Sequence, residues 1–306
     1  IRKVSDEMKE IDKHAYLVMC HNNFNHLCKL LTELDDIRND IYIHIDKKTS
    51  EYSKSSIEKS VKKSKLCFVK RISVEWGGYS QVRAELILLS EATKTYHRYY
   101  HLLSGVDFPL KSQDYIHEFF DINGKKEYMS FDLKDDKNKI LDRVRYYYFF
   151  QDIIGRKEGK FYTACRIIQQ RYLIDIQKKM HINRVRNFSE KIYKGAQWFS
   201  ITHSFACYLV KEKKEIKRLC VYGLCVDEIF VQTIAMNSMY KDRVVDNDMR
   251  YIDWKRGGPY TFTDDDFEVL TSTERLFARK FDEKSSGNII GRLQEYISDH
   301  EAHVVK

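Results

Sequence analysis

The chain is poor in the residues that break or staple a fold. Its 306 residues contain only 2 Pro and 12 Gly, which argues against long flexible linkers, and no internal repeat or low-complexity tract is visible. No apolar run approaches the ~20 residues that cross a bilayer as a helix, and no apolar segment of signal-peptide type stands near the start. The expected location is therefore the cytoplasm, at most at the inner face of its membrane. The seven cysteines, Cys20, Cys28, Cys67, Cys165, Cys207, Cys220 and Cys225, are odd in number and mostly lie inside apolar runs. They read as reduced structural thiols. Cys220 and Cys225 are near neighbours but lack the companion Cys or His cluster of a zinc site. The Gly77-Gly78 pair lacks the spacing of a phosphate-binding loop that ends in Lys-Ser or Lys-Thr.

What is present describes one compact unit. Hydrophobic residues make up 43% and charged residues 32%, enough for a sizeable core. Residues 14–300 read as a single α/β domain, and 1–13 as an N-terminal extension or remnant. The charge balance is 53 − 45 = +8, which suits an anionic ligand such as a nucleotide diphosphate, an anionic membrane surface or nucleic acid. The 21 Tyr can stack on sugars or bases, or fill the core.

His14–His21 (HAYLVMCH), then Phe24, Leu27, Leu30 and Leu31 at helical spacing, then Asp40–Asp46 (DIYIHID) predict a βαβ beginning. Ligands sit beyond the carboxyl ends of such strands, which points to His21, Asn22 and Asp46; His21 reads equally as a plain strand-end histidine. Leu66–Arg71 predicts a third strand. Glu75-Trp76-Gly77-Gly78-Tyr79-Ser80 then gives a tight loop with Ser80 capping a helix through Val82, Leu86 and Leu89. Tyr99–Ser104 predicts another strand, broken by Gly105–Ser112, in which Asp107 is the only carboxylate. Glu127–Asp132 and Gly195–Thr202 are strand-like. Arg143, Arg145 and Tyr146–Phe150 form a basic and aromatic segment, for which a nucleic-acid surface is the second reading, because the aromatics are contiguous. Arg156–Arg186 predicts an exposed helix whose charges form a solvated face. A helix from His203 to about Lys217 follows, and Arg250–Trp254 is a last strand-like piece.

The segment Cys225–Thr233 (CVDEIFVQT) places two carboxylates before an apolar helical run. Asp227 can accept from the free amides that open a helix, and Glu228 falls in the first turn, where the dipole favours an ionised carboxylate able to take a proton from a hydroxyl. Acidic residues also favour helix starts with no chemistry attached, so this motif alone decides nothing.

Several blocks taken together decide more. IHIDKK (Ile43–Lys48), WGGYSQVRAEL (Trp76–Leu86), HLLSGVDFPLKS (His101–Ser112), GAQWFSIT (Gly195–Thr202), VDEIFVQT (Val226–Thr233), RYIDW (Arg250–Trp254) and LFARKF (Leu276–Phe281) occur in one order. In that order the chain resembles a bacterial member of the core-2/I-branching β-1,6-N-acetylglucosaminyltransferase family, which includes the peptide-O-xylosyltransferases. The resemblance implies a GT-A fold with a Rossmann-like nucleotide-sugar half (14–132) and an acceptor half (133–300). It implies inverting, metal-independent transfer from a UDP-sugar, UDP-N-acetylglucosamine first and UDP-xylose or UDP-galactose as alternatives, to a saccharide or lipid-linked saccharide. The lone Asp107 agrees, since a metal-dependent site would place two acids around one spacer there. By position, Glu228 would be the general base, and Lys280 with Arg256 or Lys255 would neutralise the diphosphate. His21 and Asp46 would lie on the uridine side, Trp76, Gly77 and Asp107 would line the donor pocket, and Arg145, Trp198, Asp227 and Trp254 would contact sugars. No cofactor and no nucleic-acid partner is implied, and the basic surplus would help hold such an enzyme near anionic lipids.

Overall fold

The computed structural model describes residues 12–132, 136–186, 188 and 190–304, so the expected extension lies, up to residue 11, outside the described residues. These residues form ten strands, β1 (His14–Cys20), β2 (Asn39–Ile45), β3 (Lys65–Phe68), β4 (Tyr99–Ser104), β5 (Asp107–Pro109), β6 (Glu127–Met129), β7 (Phe199–Thr202), β8 (Val244–Asp246), β9 (Arg250–Ile252) and β10 (Phe277–Arg279). Seven make a mixed sheet in the order β3-β2-β1-β4-β7-β6-β8, and β5-β10-β9 make a second sheet. β1 pairs in parallel with β2 and β4, and β2 with β3. β7 runs antiparallel to β4 and β6, and β8 is parallel to β6. With helices on both faces, this is the GT-A-like α/β arrangement.

Central strands covered on both faces are near-continuous apolar runs, and β1 and β2 are buried along almost their whole length. On one face Tyr16, Val18 and Cys20 share a core with Leu27, Leu30, Leu31 and Leu34 of the helix Phe24–Leu34. On the other, Ala15 and Leu17 share one with Val82, Leu86 and Leu89 of the helix Tyr79–Ala92. The strand order turns back between β1 and β4, where a crevice opens beyond the strand ends. Gly105 crosses there: its N–H donates to Met19 O at 2.8 Å, and a Cβ on it would come within 2.7 Å of Cys20 Cβ.

Three local expectations are corrected. Ser80 does not cap its helix. Gly78 is the cap residue, and Ser80 lies within the first turn, donating its N–H to Asp152 at 3.0 Å and accepting the Glu75 N–H at 2.8 Å. The Gly105–Ser112 stretch is not only a break, because Asp107–Pro109 pairs with β10. The helix expected from His203 to Lys217 is two, His203–Lys211 and Lys213–Cys220; the apolar phase runs through the join at Glu212, so periodicity does not reveal it.

A polar chain crosses the core. Buried Arg250 donates to Ser200 Oγ at 2.8 Å, Ser200 Oγ lies 2.8 Å from His101 Nδ1, and His101 Nε2 lies 3.1 Å from His14 Nδ1. His14 stacks on His117 with ring centres 4.0 Å apart, and His117 Nε2 donates to Asn39 Oδ1 at 2.9 Å. Burial pushes His14 and His101 well below the ordinary histidine value, and it pushes His117, with the Arg38 charge adding to it, down to about 4.

Candidate active site

The carboxyl ends of β1, β2, β4, β6 and β8 and the start of the reversed β7 share one edge of the sheet. His21, Asp46, Gly105, Ser130, Trp198 and Asn247 follow or precede those ends directly. The residues expected to carry chemistry therefore gather from distant parts of the chain.

Glu228 ends a single 3-10 turn, Val226–Glu228, ahead of the helix Phe230–Met236. The turn is entered through Cys225 in the left-handed region, φ 47°. The carboxylates thus precede the helix proper instead of opening it. Glu228 is about one-third exposed; its carboxylate accepts from Arg143 Nη1 at 2.7 Å and lies 3.8 Å from Lys194 Nζ. Its carbonyl accepts the Gly195 N–H at 2.9 Å. Gly195 is required there, since a Cβ would overlap Ser130 O. Arg143 carried no family role in the sequence; only the fold brings it to Glu228.

Asp227 points the other way. It is buried and accepts from Gln81 Nε2 at 3.2 Å, so it neither caps the helix nor offers an exposed sugar contact. Burial, with Glu228 as a neighbouring charge, pushes its carboxyl up to about 7. Fully buried Glu85, which accepts from Gln197 Nε2 at 2.8 Å, is driven well above the ordinary range by burial and by Asp227. Gln81 also accepts the Gly77 N–H, and Gly77 O accepts the Cys225 N–H at 2.7 Å. The Trp76–Gly78 loop is thereby joined to the Glu228 turn through main chain.

On the donor side, Asp46 is buried and accepts the Lys48 N–H at 2.9 Å, which fixes the turn after β2. Lys48 Nζ reaches Asp46 at 3.7 Å and Glu75 at 3.0 Å. His21 is exposed; crowding by its surroundings lowers its titration, and the charges of Asp46, Lys48 and Lys280 act on it together. Lys280 is brought there because Asp282 accepts from Asn23 at 3.1 Å and Glu283 accepts the Asn25 N–H at 2.8 Å. The neighbouring loop runs beside Lys280, whose N–H donates to Tyr260 O at 3.2 Å. Arg256 stacks on the Tyr260 ring at 3.7 Å and is held by Asp253 at 2.6 Å and Asp266 at 2.7 Å. Its charge is already matched, whereas exposed Lys255 makes no side-chain ion pair among the described residues.

Other expected contacts divide by exposure. Asp107 is fully buried, its carboxylate taken by the Ser104 N–H at 2.9 Å, the Ser104 hydroxyl at 2.5 Å and Arg279 at 3.3 Å. It braces the crevice floor and does not face a donor. Trp198 is buried beneath the Arg279 guanidinium, 4.2 Å from its ring centre. Trp254 and Trp76 are exposed, with Arg156 stacked on Trp76 at 3.9 Å. Arg145 pairs with Asp142 at 3.0 Å. In the aromatic segment Tyr146 and Tyr148 are buried while Tyr147 and Phe149 stack in parallel outside, which makes half of it core. Beside Lys194 a cleft of about 550 Å³ opens, floored by Phe131, Ile140, Leu141, Val185 and Ile192. Among the described residues, no three His, Cys, Asp or Glu side chains are grouped to hold a metal ion.

Comparison with known proteins fits this geometry. The chain is 23% identical to xylosyltransferase 1 of Mus musculus over 93% of its length, and 25% identical to the Homo sapiens protein over 84%. It is 22% identical to xylosyltransferase 2 of Bos taurus over 92%. It spans 30%, 27% and 33% of those proteins respectively. The family model for Core-2/I-Branching enzyme matches residues 14–276, a span that holds the crevice, the Trp76 loop and the Glu228 turn, and the chain therefore belongs to the Core-2/I-Branching enzyme family.

Proposed function

We propose that this chain is a glycosyltransferase that moves a sugar from a UDP-sugar to a hydroxyl of a saccharide acceptor in one displacement, with Glu228 as general base. The observation that carries this reading is the placement of Glu228: a partly exposed carboxylate at the ligand edge of the sheet, held by Arg143 and fixed by main chain to the Trp76–Gly78 loop. Glu228 takes the proton of the acceptor hydroxyl as its oxygen bonds to the anomeric carbon. The bond from that carbon to the diphosphate breaks on the opposite face, its electron pair leaving with UDP, so configuration inverts. Lys280, which follows β10 and whose charge acts on His21 at the end of β1, neutralises the departing diphosphate, and Lys255 is the second cation, because Arg256 is already paired. The cleft beside Lys194 receives the acceptor. The reaction is read as needing no divalent metal. UDP-N-acetylglucosamine is the first donor read from the resemblance, although the shared blocks do not fix the sugar; the relatives named xylosyltransferase favour UDP-xylose.

The test is UDP release to water in EDTA from a panel of UDP-sugars, for the wild type and Glu228→Gln. Release that survives EDTA and falls by about 10²–10⁴-fold in the variant supports the mechanism. Release unchanged in Glu228→Gln removes the base, release that requires manganese removes metal independence, and no release from any donor overturns the transferase reading.

A further inference from the structure

The helical stretch Lys160–Lys179 is built inside out. It comprises Lys160–Ile167, a wider π-turn over Ile168–Leu173 and Ile174–Lys179 in unbroken succession. A surface helix ordinarily buries its apolar stripe and shows its polar one. Here the buried side chains are Gln169, Gln177 and a single aliphatic, Ile174. Phe161 is 67% exposed, Ile168 44%, Tyr172 61%, Ile176 50% and the following Met180 66%. The first four recur at helical spacing and form one outward stripe.

The inward glutamines explain the inversion. Gln169 Oε1 accepts the Phe150 N–H at 2.7 Å, and Gln177 accepts the Tyr147 N–H at 2.7 Å while donating to Tyr147 O at 3.1 Å. They supply hydrogen bonds that the irregular 147–150 main chain lacks, so the helix docks by its polar face. Gln169 also reaches Gln151 at 3.4 Å, and Gln151 donates to Trp76 O at 2.8 Å. The outward stripe is thus tied to a loop of the active-site edge.

Cations flank the stripe. Lys160, Arg171, Lys178 and Lys179 make no ion pair among the described residues, and Asp175 is the only acid in the stretch. An apolar stripe bordered by uncompensated cations matches a surface that is apolar below and negative above, which is the boundary layer of an anionic bilayer. We propose that Lys160–Met180 is the surface by which this protein lies on anionic membranes, the stripe entering the acyl boundary and the lysines meeting lipid phosphates, with the active-site edge held close to the lipid surface.

The test is flotation with vesicles of phosphatidylcholine alone and of phosphatidylcholine with phosphatidylglycerol, at low and high salt. The wild type is expected to float with the anionic vesicles at low salt and to remain unbound with neutral ones. Ile168→Glu/Tyr172→Glu replaces exposed side chains, so its melting curve should match the wild type while vesicle binding falls by about ten-fold or more; UDP release in solution is unchanged. Lys178→Ala/Lys179→Ala should weaken binding by at least about ten-fold without touching the stripe, and it decides the matter if the first variant melts early. Absence of wild-type flotation, or flotation of both variants undiminished from the wild type, overturns the proposal. So does self-association abolished by Ile168→Glu/Tyr172→Glu without vesicle binding, which would give the face to a second copy, or nucleic-acid binding in place of lipid binding.

Discussion

Acidification should unfold this protein through its buried histidines, and His117 allows the size to be worked out. Its folded-state value is depressed from 6.5 to about 4 by burial first and by the Arg38 charge next. A depressed histidine contributes stability that is fully present above its unfolded value and is lost as pH falls through its folded one, so the window runs from about 6.5 down to about 4. The gap corresponds to roughly 3.4 kcal/mol once both states are protonated, of which ~2 kcal/mol is gone at pH 5. His14 and His101 move in the same direction, so the total loss is larger. The assay is urea unfolding at pH 7.5, 6 and 5 for the wild type and His117→Gln, which keeps a donor for Asn39 Oδ1. Carboxylates titrate alike in both proteins, so the difference between the two curves isolates the histidine. The wild type should lose ~2 kcal/mol more than the variant between pH 7.5 and 5. Parallel curves would refute the reasoning, for they would mean that the imidazole is solvated as well in the fold as in the unfolded chain.

Asp227→Asn should act with the opposite pH sign. The Asp227 carboxyl is raised from 3.8 to about 7 by burial and by Glu228, so the wild type is progressively penalised as pH rises through that range, and the variant's advantage in melting temperature should be larger at pH 8 than at pH 5. Arg143→Ala should lower turnover by about ten-fold or more while leaving the KM for the donor near the wild-type value, because Arg143 orients Glu228 and touches no donor; partial rescue in Arg143→Lys would separate this from a folding defect. Gly195→Ala should cost about 1–3 kcal/mol in urea unfolding, since its Cβ meets the Ser130 carbonyl and the strand must shift, and UDP release should fall with it because Gly195 N–H holds Glu228 O.

The strands that carry the site were legible because parallel central strands are mostly apolar on both faces, and YLVMC and IYI at the centre of β1 and β2 are; the buried His14, Asn39, Asp40 and His44 at their ends and edges are the exceptions. The ligand edge followed from the βαβ beginning and the carboxyl ends of its strands, and the Gly77 and Glu228 segments from their blocks. Partners were not legible. Arg143 meets Glu228 across 85 positions and Gln81 meets Asp227 across 146, and nothing local marks either pair. Asp227 looked like a cap because acids favour helix starts; the left-handed Cys225 turns it into the core instead. The Arg156–Arg186 stretch was read as a solvated charged face. Most of its charges are outward, although Arg184 turns in on the Val144 and Val221 carbonyls and Lys157 pairs with buried Glu75; Phe161 and Tyr172 are outward too, because Gln169 and Gln177 are claimed by a distant irregular main chain, which periodicity does not report.

The main-chain bond from Cys225 to Gly77 constrains how substrates arrive and how specificity can drift. The bond ties the loop to the Glu228 turn, so on the proposed mechanism the spacing between the sugar's reacting carbon and the proton acceptor is set before either substrate binds. Side chains on the outer surface of that unit, Trp76 and the Arg156 that covers it, can then vary without disturbing the Glu228 turn, and on the proposed mechanism such changes would alter which sugar is admitted while leaving the chemistry in register.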